Sequence, residues 1–357
     1  MKVLISVFFM MNLIQISLNG QNENSFQKGE DAKNPADKIF FYTRQIEKDG
    51  GNSVVYNNRG IAKFDMKDYQ GAILDFSKAI QLDPKQVLAY FNRGNSRLNL
   101  KEYQAAITDY SKAIELNSKD PKFFINRGYA KYSVKDYQGA IEDYNKVLGL
   151  EPKNSLAYLN RGLAKYSLTD NQGAISDYTK SIGLDLQNAI AYFNRGLARY
   201  TAKDYHGAII DYSKAIGINP KDAKSYHNLS IAYFSLNDFD KAITYGLAGL
   251  SMDPQNALIY NNLGYFYMAK GDYGNAITQF QKCLKINNKY FDASLGLSMT
   301  YYYKNDKTTA KKYLKEAQVA EPNLYNGMIG VAEIEKTGYA ISDKKRETLK
   351  KMFEDLK

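Results

Sequence analysis

Apolar and small residues along this chain fall into paired stripes at helical spacing. Tyr56, Gly60, Lys63 and Phe64 lie three to four residues apart, a polar stretch runs from Asp65 to Gln70, and Ala72, Ile73, Phe76, Ala79 and Ile80 mark a second stripe. Pro84 stands just beyond it, where a helix must end. The pattern predicts two helices joined by a short turn. It then repeats. Steps of 34 residues from Gly60 reach Gly94, Gly128, Gly162, Gly196, Ser230, Gly264 and Ser298, and steps from Ala72 reach Ala106, Ala140, Ala174, Ala208, Ala242, Ala276 and Ala310. Eight units without insertion follow, over residues 53–324.

The small residues have a geometric cause, because two antiparallel helices approach closely only where neither carries bulk. An aromatic at Phe76, Tyr110, Tyr144, Tyr178 and Tyr212 fills the space beside that contact, and Pro recurs as Pro152, Pro220, Pro254 and Pro322. A 34-residue helix–turn–helix with this small, aromatic and Pro pattern resembles the tetratricopeptide repeat family. Departures are few: Tyr stands for the family's Trp near the start of each unit, Ser230 and Ser298 replace Gly, and Val147 takes a normally small place. The resemblance implies an all-α, right-handed superhelical solenoid whose first helices line a concave groove used to hold a protein or peptide. Solenoids need polar-faced ends. Residues 21–52 read as a polar, disordered leader as far as Asn34, then a capping helix from Ala36 to Lys48. Residues 325–357 read as C-terminal capping helices, one from Tyr325 to Lys336 and one starting at Ser342.

Charge changes the picture little. The net +10 is spread thinly, with no unit above +3, so no basic patch marks a nucleic-acid partner. The first twenty residues differ: Lys2, an apolar run from Val3 to Leu18 and a polar exit at Asn19 to Gln21 read as a secretory signal peptide, too short for a membrane span. The chain is therefore expected to be exported, to the periplasm or outside the cell, without a stable span in its mature form. Cys283, the only cysteine, stands where other units place Ala79 or Ala113 and reads as packing. Catalysis finds no support: two histidines cannot build a metal cluster, and no phosphate loop or nucleophile elbow is present. The reading is a non-enzyme without cofactor or metal.

Two rows of polar residues carry the remaining chemistry. Arg59, Arg93, Arg127, Arg161 and Arg195 each precede a second base by four residues, and the facing helices carry Asp75, Asp109, Asp143, Asp177 and Asp211. In units six and seven the Arg becomes Leu229 and Leu263, the second base Tyr233 and Tyr267, and the Asp Tyr245 and Gln279. Residues that change together are expected to meet, so Arg and Asp should pair within a unit. Asn ignores that switch. Asn58, Asn92, Asn126, Asn160, Asn194, Asn228 and Asn262 run through both repeat types. The resemblance places this row in the groove, where it is similar to the asparagine ladder of the O-GlcNAc transferase superhelix, which grips a polypeptide backbone. An amide suits that task, offering donor and acceptor together; a bond to a neighbouring helix is the alternative use. The resemblance also sets Tyr129, Tyr132, Tyr166 and Tyr200 beside the Asn residues. Family members that clamp a terminal carboxylate use Lys where this chain has Phe91 and Ile125. The groove is thus expected to hold an extended, mostly uncharged polypeptide segment. A glycan, or a role as a structural part of an envelope assembly through the convex face or caps, is the competing reading.

Overall fold

The computed structural model describes residues 25–328, 331–332 and 343–356, and every element among them is a helix. The signal read over the first twenty residues lies outside the described residues. The chain forms two compact units divided between Leu168 and Thr169. The first holds α1 (Ser25–Asp31), α2 (Pro35–Lys48), α3 (Ser53–Asp65), α4 (Tyr69–Leu82), α5 (Val87–Asn99), α6 (Tyr103–Leu116), α7 (Pro121–Ser133), α8 (Tyr137–Leu150) and α9 (Ser155–Ser167). The second holds α10 (Asn171–Leu184), α11 (Ala189–Thr201), α12 (Tyr205–Ile218), α13 (Ala223–Ser235), α14 (Phe239–Met252), α15 (Ala257–Lys270), α16 (Tyr273–Ile286), α17 (Phe291–Tyr303), α18 (Lys307–Ala320), a 3-10 turn (Pro322–Asn326) and α19 (Asp343–Asp355). Within each unit, odd-numbered first helices and even-numbered second helices of successive repeats pack on their neighbours in chain order.

Local chemistry sets the ends of these helices. The carboxylate of Asp68 accepts the Gly71 amide at 2.9 Å, and Asp136, Asp170 and Asp204 repeat the contact on Gly139, Gly173 and Gly207. The turn between the two helices of a repeat bends through a left-handed residue: Lys67, Lys101, Lys135, Thr169, Lys203, Asn237 and Asn305 all have φ between 61° and 65°. The close approach expected at the Gly60 row is present. A Cβ built on Gly60 would stand 2.6 Å from the Phe76 ring, and one on Gly94 2.7 Å from Tyr110. Phe76, Tyr110, Tyr144, Tyr178 and Tyr212 are fully buried there, with the Ala72 row beside them. Cys283 is equally buried in the Ala79 row, and burial pushes its thiol up to about 12.

The ends differ from expectation. The leader before Asn34 contains α1, because Gly29 lies flat on the Tyr42 ring while Glu30 accepts bonds from the Tyr42 hydroxyl and from Asn58 Nδ2, each at 2.7 Å. Tyr42 stands 34 residues before Phe76, so α1 and α2 are a shortened helix pair in the same register. At the other end the chain makes a 3-10 turn at Pro322–Asn326, and Gly327 leaves it with φ +57°. Half of the helix expected from Tyr325 to Lys336 lies outside the described residues. The last helix is α19.

Arg and Asp meet within a repeat. Arg127 grips Asp143 with Nε at 2.9 Å and Nη2 at 2.6 Å, and its Nη1 donates to Ser111 Oγ of the preceding repeat at 3.0 Å. Lys131 adds a second cation to Asp143 at 3.0 Å. Arg59–Asp75, Arg93–Asp109 and Arg195–Asp211 repeat the fork, with Nη1 on Thr43, Ser77 and Thr179. Each guanidinium also lies over an aromatic ring, Tyr56, Tyr90, Phe124, Tyr158 or Tyr192, at 5.4–5.7 Å. In repeats six and seven Leu229 and Leu263 are buried, and Tyr245 stacks on Tyr233 at 5.4 Å.

Asp143→Gln strands two cations and is expected to cost about 3–5 kcal/mol. The triple variant Arg127→Leu/Lys131→Tyr/Asp143→Gln copies repeat seven and should recover at least half of that loss. Urea titration of helical circular dichroism checks both, and purely additive losses would show that the three side chains act separately.

Candidate functional site

Where a first helix carries Arg, it turns that Arg toward the second helix and the Asn beside it the other way. One turn before each Asn, on the same side, stands a residue that is exposed in seven successive repeats. It is apolar in five: Val54, Leu88, Leu156, Ile190 and Leu258, between 45% and 61% exposed, with Lys122 and Lys224 at the other two. Three residues after the Asn stand Ile61, Asn95, Tyr129, Leu163, Leu197, Ile231 and Tyr265, of which Tyr129 is 49% exposed. An aliphatic row, an amide row and a mixed apolar row therefore run side by side across the first helices of each unit. The aliphatic row was missed in the sequence because an apolar residue at a helix start reads as core. Its position four residues before Asn, on one helical face, was the available signal.

The Asn row is not uniform. In the first unit Asn92 Nδ2 donates to Asn57 Oδ1 at 3.2 Å, and Asn126 Nδ2 to Asn95 Oδ1 at 2.8 Å, so these two amides tie successive first helices together. Asn95 Oδ1 also receives the Tyr110 hydroxyl at 2.8 Å. In the second unit Asn228 donates to Lys224 O in its own helix, and Asn262 Nδ2 meets His227 Nε2 at 2.7 Å. Asn160 in the first unit and Asn194 in the second make no side-chain hydrogen bond among the described residues. Both are half-buried.

The tyrosines divide likewise. The Tyr132 hydroxyl lies 3.2 Å from Ser167 Oγ and its ring packs on Tyr137; Tyr200 does the same with Ser235 at 3.0 Å and with Tyr205. These are struts between neighbouring repeats, and both rings are half-buried. Tyr166 is half-buried at the corresponding place, and Tyr129 reaches furthest into solvent. Among the described residues no three His, Cys, Asp or Glu side chains lie close enough to hold a metal ion. No described helix is long and apolar enough to cross a membrane.

Models of the tetratricopeptide repeat match residues 53–86, 87–120, 121–154, 159–223, 223–256 and 257–290. The eighth pair, α17 and α18, packs in the same way beyond them. Solved structures agree in fold. The C-terminal part of a repeat-containing protein from Cytophaga hutchinsonii is 20% identical over 65% of this chain and 95% of its own, with a TM-score of 0.57. The Cut9–Hcn1 hetero-tetramer is 20% identical over 80% of this chain and 57% of that one, at 0.52. PilF of Pseudomonas aeruginosa is 21% identical over 59% and 95%, at 0.50. Among curated proteins none gives a significant match.

One titration follows from this geometry. Burial lowers the His227 pKa from its ordinary 6.5 to about 4. The unfolded chain therefore binds a proton that the folded one refuses, and stability present above pH 6.5 is lost as pH falls toward 4. At pH 5.5 the loss is about 1.2 kcal/mol relative to pH 7. Across pH 7 to 4.5 the urea midpoint of the native chain should fall more steeply than that of His227→Gln, and parallel curves would show that another group is the source.

Proposed function

Because the chain belongs to the tetratricopeptide repeat family, whose repeats are in general protein-interaction scaffolds, we propose that it holds an extended, mostly uncharged polypeptide segment against its first helices. One observation carries this reading: amide side chains stand between an exposed, mostly aliphatic row and a half-buried, mostly apolar one, and at Asn160 and Asn194 those amides have no bond among the described residues. A peptide bond needs one donor and one acceptor wherever it lies, and an Asn supplies both. Leu88 and Leu156 in the first unit, and Ile190 and Leu258 in the second, then offer contact to side chains of a segment lying on that unit, which gains by leaving water. Scattered exposed hydrophobics need no explanation, but a row repeated every 34 residues does. Asn92, Asn126 and Asn262 brace neighbouring helices and would take a ligand through their remaining acceptor oxygen.

We also propose that the chain is exported and works in the periplasm or outside the cell. Lys2, the apolar run to Leu18 and the polar exit support this, and a single buried cysteine leaves no intramolecular disulfide to be formed or scrambled there. N-terminal sequencing of natively produced protein should start near Gln21, whereas an intact Met1 on cytosolic material would overturn export.

A peptide library displayed on phage supplies ligands for the groove. Selected sequences should be rich in apolar residues and poor in charge. Asn160→Ala and Asn194→Ala, each made alone, should weaken the best ligands of its own unit by about twofold to tenfold, as expected for one lost hydrogen bond, with the melting curve unchanged. Leu156→Glu should weaken them further, while Leu74→Glu on a second helix should not. Binders indifferent to Asn160, Asn194 and Leu156 would sink the groove reading.

A further inference from the structure

The groove-facing row ends abruptly. The residue that is exposed in seven repeats becomes Asp292 in the eighth, and it is 6% exposed. Gly296, in the Asn row, and Met299, in the next row, are buried too, Met299 to 1%. Every residue of α17 from Asp292 to Thr300 is buried, so this first helix alone is covered on all sides. Part of the cover is the chain's own C-terminal helix, α19. Leu349, Met352, Phe353 and Leu356 form one apolar cluster with Leu295, Met299 and Leu314, and Thr348 bonds the Tyr303 hydroxyl at 2.6 Å.

The polar anchor of that helix is more than an end cap requires. Lys345 Nζ bonds Asp292 and lies 4.2 Å from the centre of the Tyr265 ring, one repeat back. Asp292 also accepts from Tyr265 at 2.7 Å and from Asn261 at 2.9 Å. Tyr265 belongs to the same row as Ile61 and Tyr129, so α19 leans over the groove side of two repeats rather than merely closing the stack. Its apolar contacts hold it, and the ion pair adds little to them. A buried ion pair roughly balances its own desolvation, and a 13-residue helix released into water does not hold its shape alone.

We propose that α19 is a displaceable plug: an amphipathic helix of this chain that occupies the last repeat's share of the groove and yields it when released. This rests on the reading of the first-helix face as the groove. Release would bare Met299, the Asp292 carboxylate and the Tyr265 ring, extending the apolar and amide surface by one repeat and adding an anionic end. The segment that best replaces α19 there carries a cation near one end and apolar side chains after it, as Lys345 and Leu349–Met352–Phe353 do.

Hydrogen exchange of the full chain tests this without any partner. Amides of 343–355 should exchange at least about a hundredfold faster than those of α16 and α17, through an opening that leaves the repeats protected. Lys345→Gln should raise their exchange by about a further tenfold, roughly the loss of one charged contact, and Lys345→Arg should leave it near the native level. A labelled peptide of residues 341–357 should also bind the full-length variant Leu349→Asp/Phe353→Asp, whose own helix is undocked, with circular dichroism confirming its repeats. Exchange of 343–355 in step with α17 in native and Lys345→Gln protein would mean a fixed cap and overturn the plug. Failure of phage-selected peptides to use Asn160 or Leu156 would touch the groove reading alone.

Discussion

A Cβ placed at Gly94 would stand 2.7 Å from the Tyr110 ring, and the same overlap recurs at Gly60, Gly196 and Gly264. The contact of bare backbone with an aromatic ring brings the two helices of a repeat together, and the other features hang on that separation. It sets the Ala72 and Ala79 rows within touching distance of the opposite helix. It also puts an Arg side chain opposite an Asp, near enough for a two-pronged grip, while the Asn beside it is turned outward. Where the ring is missing, the neighbours adjust. Repeat six carries Gly246 in place of the aromatic, and Leu263 of the next repeat comes within 2.8 Å of where its Cβ would be.

The Arg fork turns a stack of pairs into a chain of coupled neighbours. Its Nε and Nη2 close its own repeat on Asp, its Nη1 reaches the hydroxyl of the repeat before, and its plane rests on a ring one turn away. Removing Arg would loosen two interfaces at once. Repeats six and seven fill the same space with Leu229, Leu263 and the stacked Tyr233–Tyr245 pair, which avoids burying charge.

The repeat and its helices were legible because a fixed 34-residue step shows each position several times over. Pairing of Arg127 with Asp143 was legible for the same reason, since substitutions at Leu229, Tyr233 and Tyr245 change together. What the step could not show lies where it is broken or where only the fold supplies the partner. Helix α1 was hidden in a polar composition, its hold resting on Gly29 and Glu30 touching Tyr42 and Asn58. Exposure of Leu156 and Ile190 could not be told from burial by periodicity. The contacts of Asn126 with Asn95 and of Lys345 with Asp292 join residues 31 and 53 apart, a separation no helical pattern encodes.

Near-identity of adjacent repeats brings a hazard of its own. A helix whose sequence returns 34 residues later has two almost equally good partners while the chain is still assembling, and slipped pairings trap repeat proteins. The change at Leu229 marks the count. A slip of one repeat there would set Leu229 against Asp211 or Arg195 against Tyr245, burying a charge without its mate. The apolar repeats thus act as an index mark, making misalignment of the whole array costly at a single place.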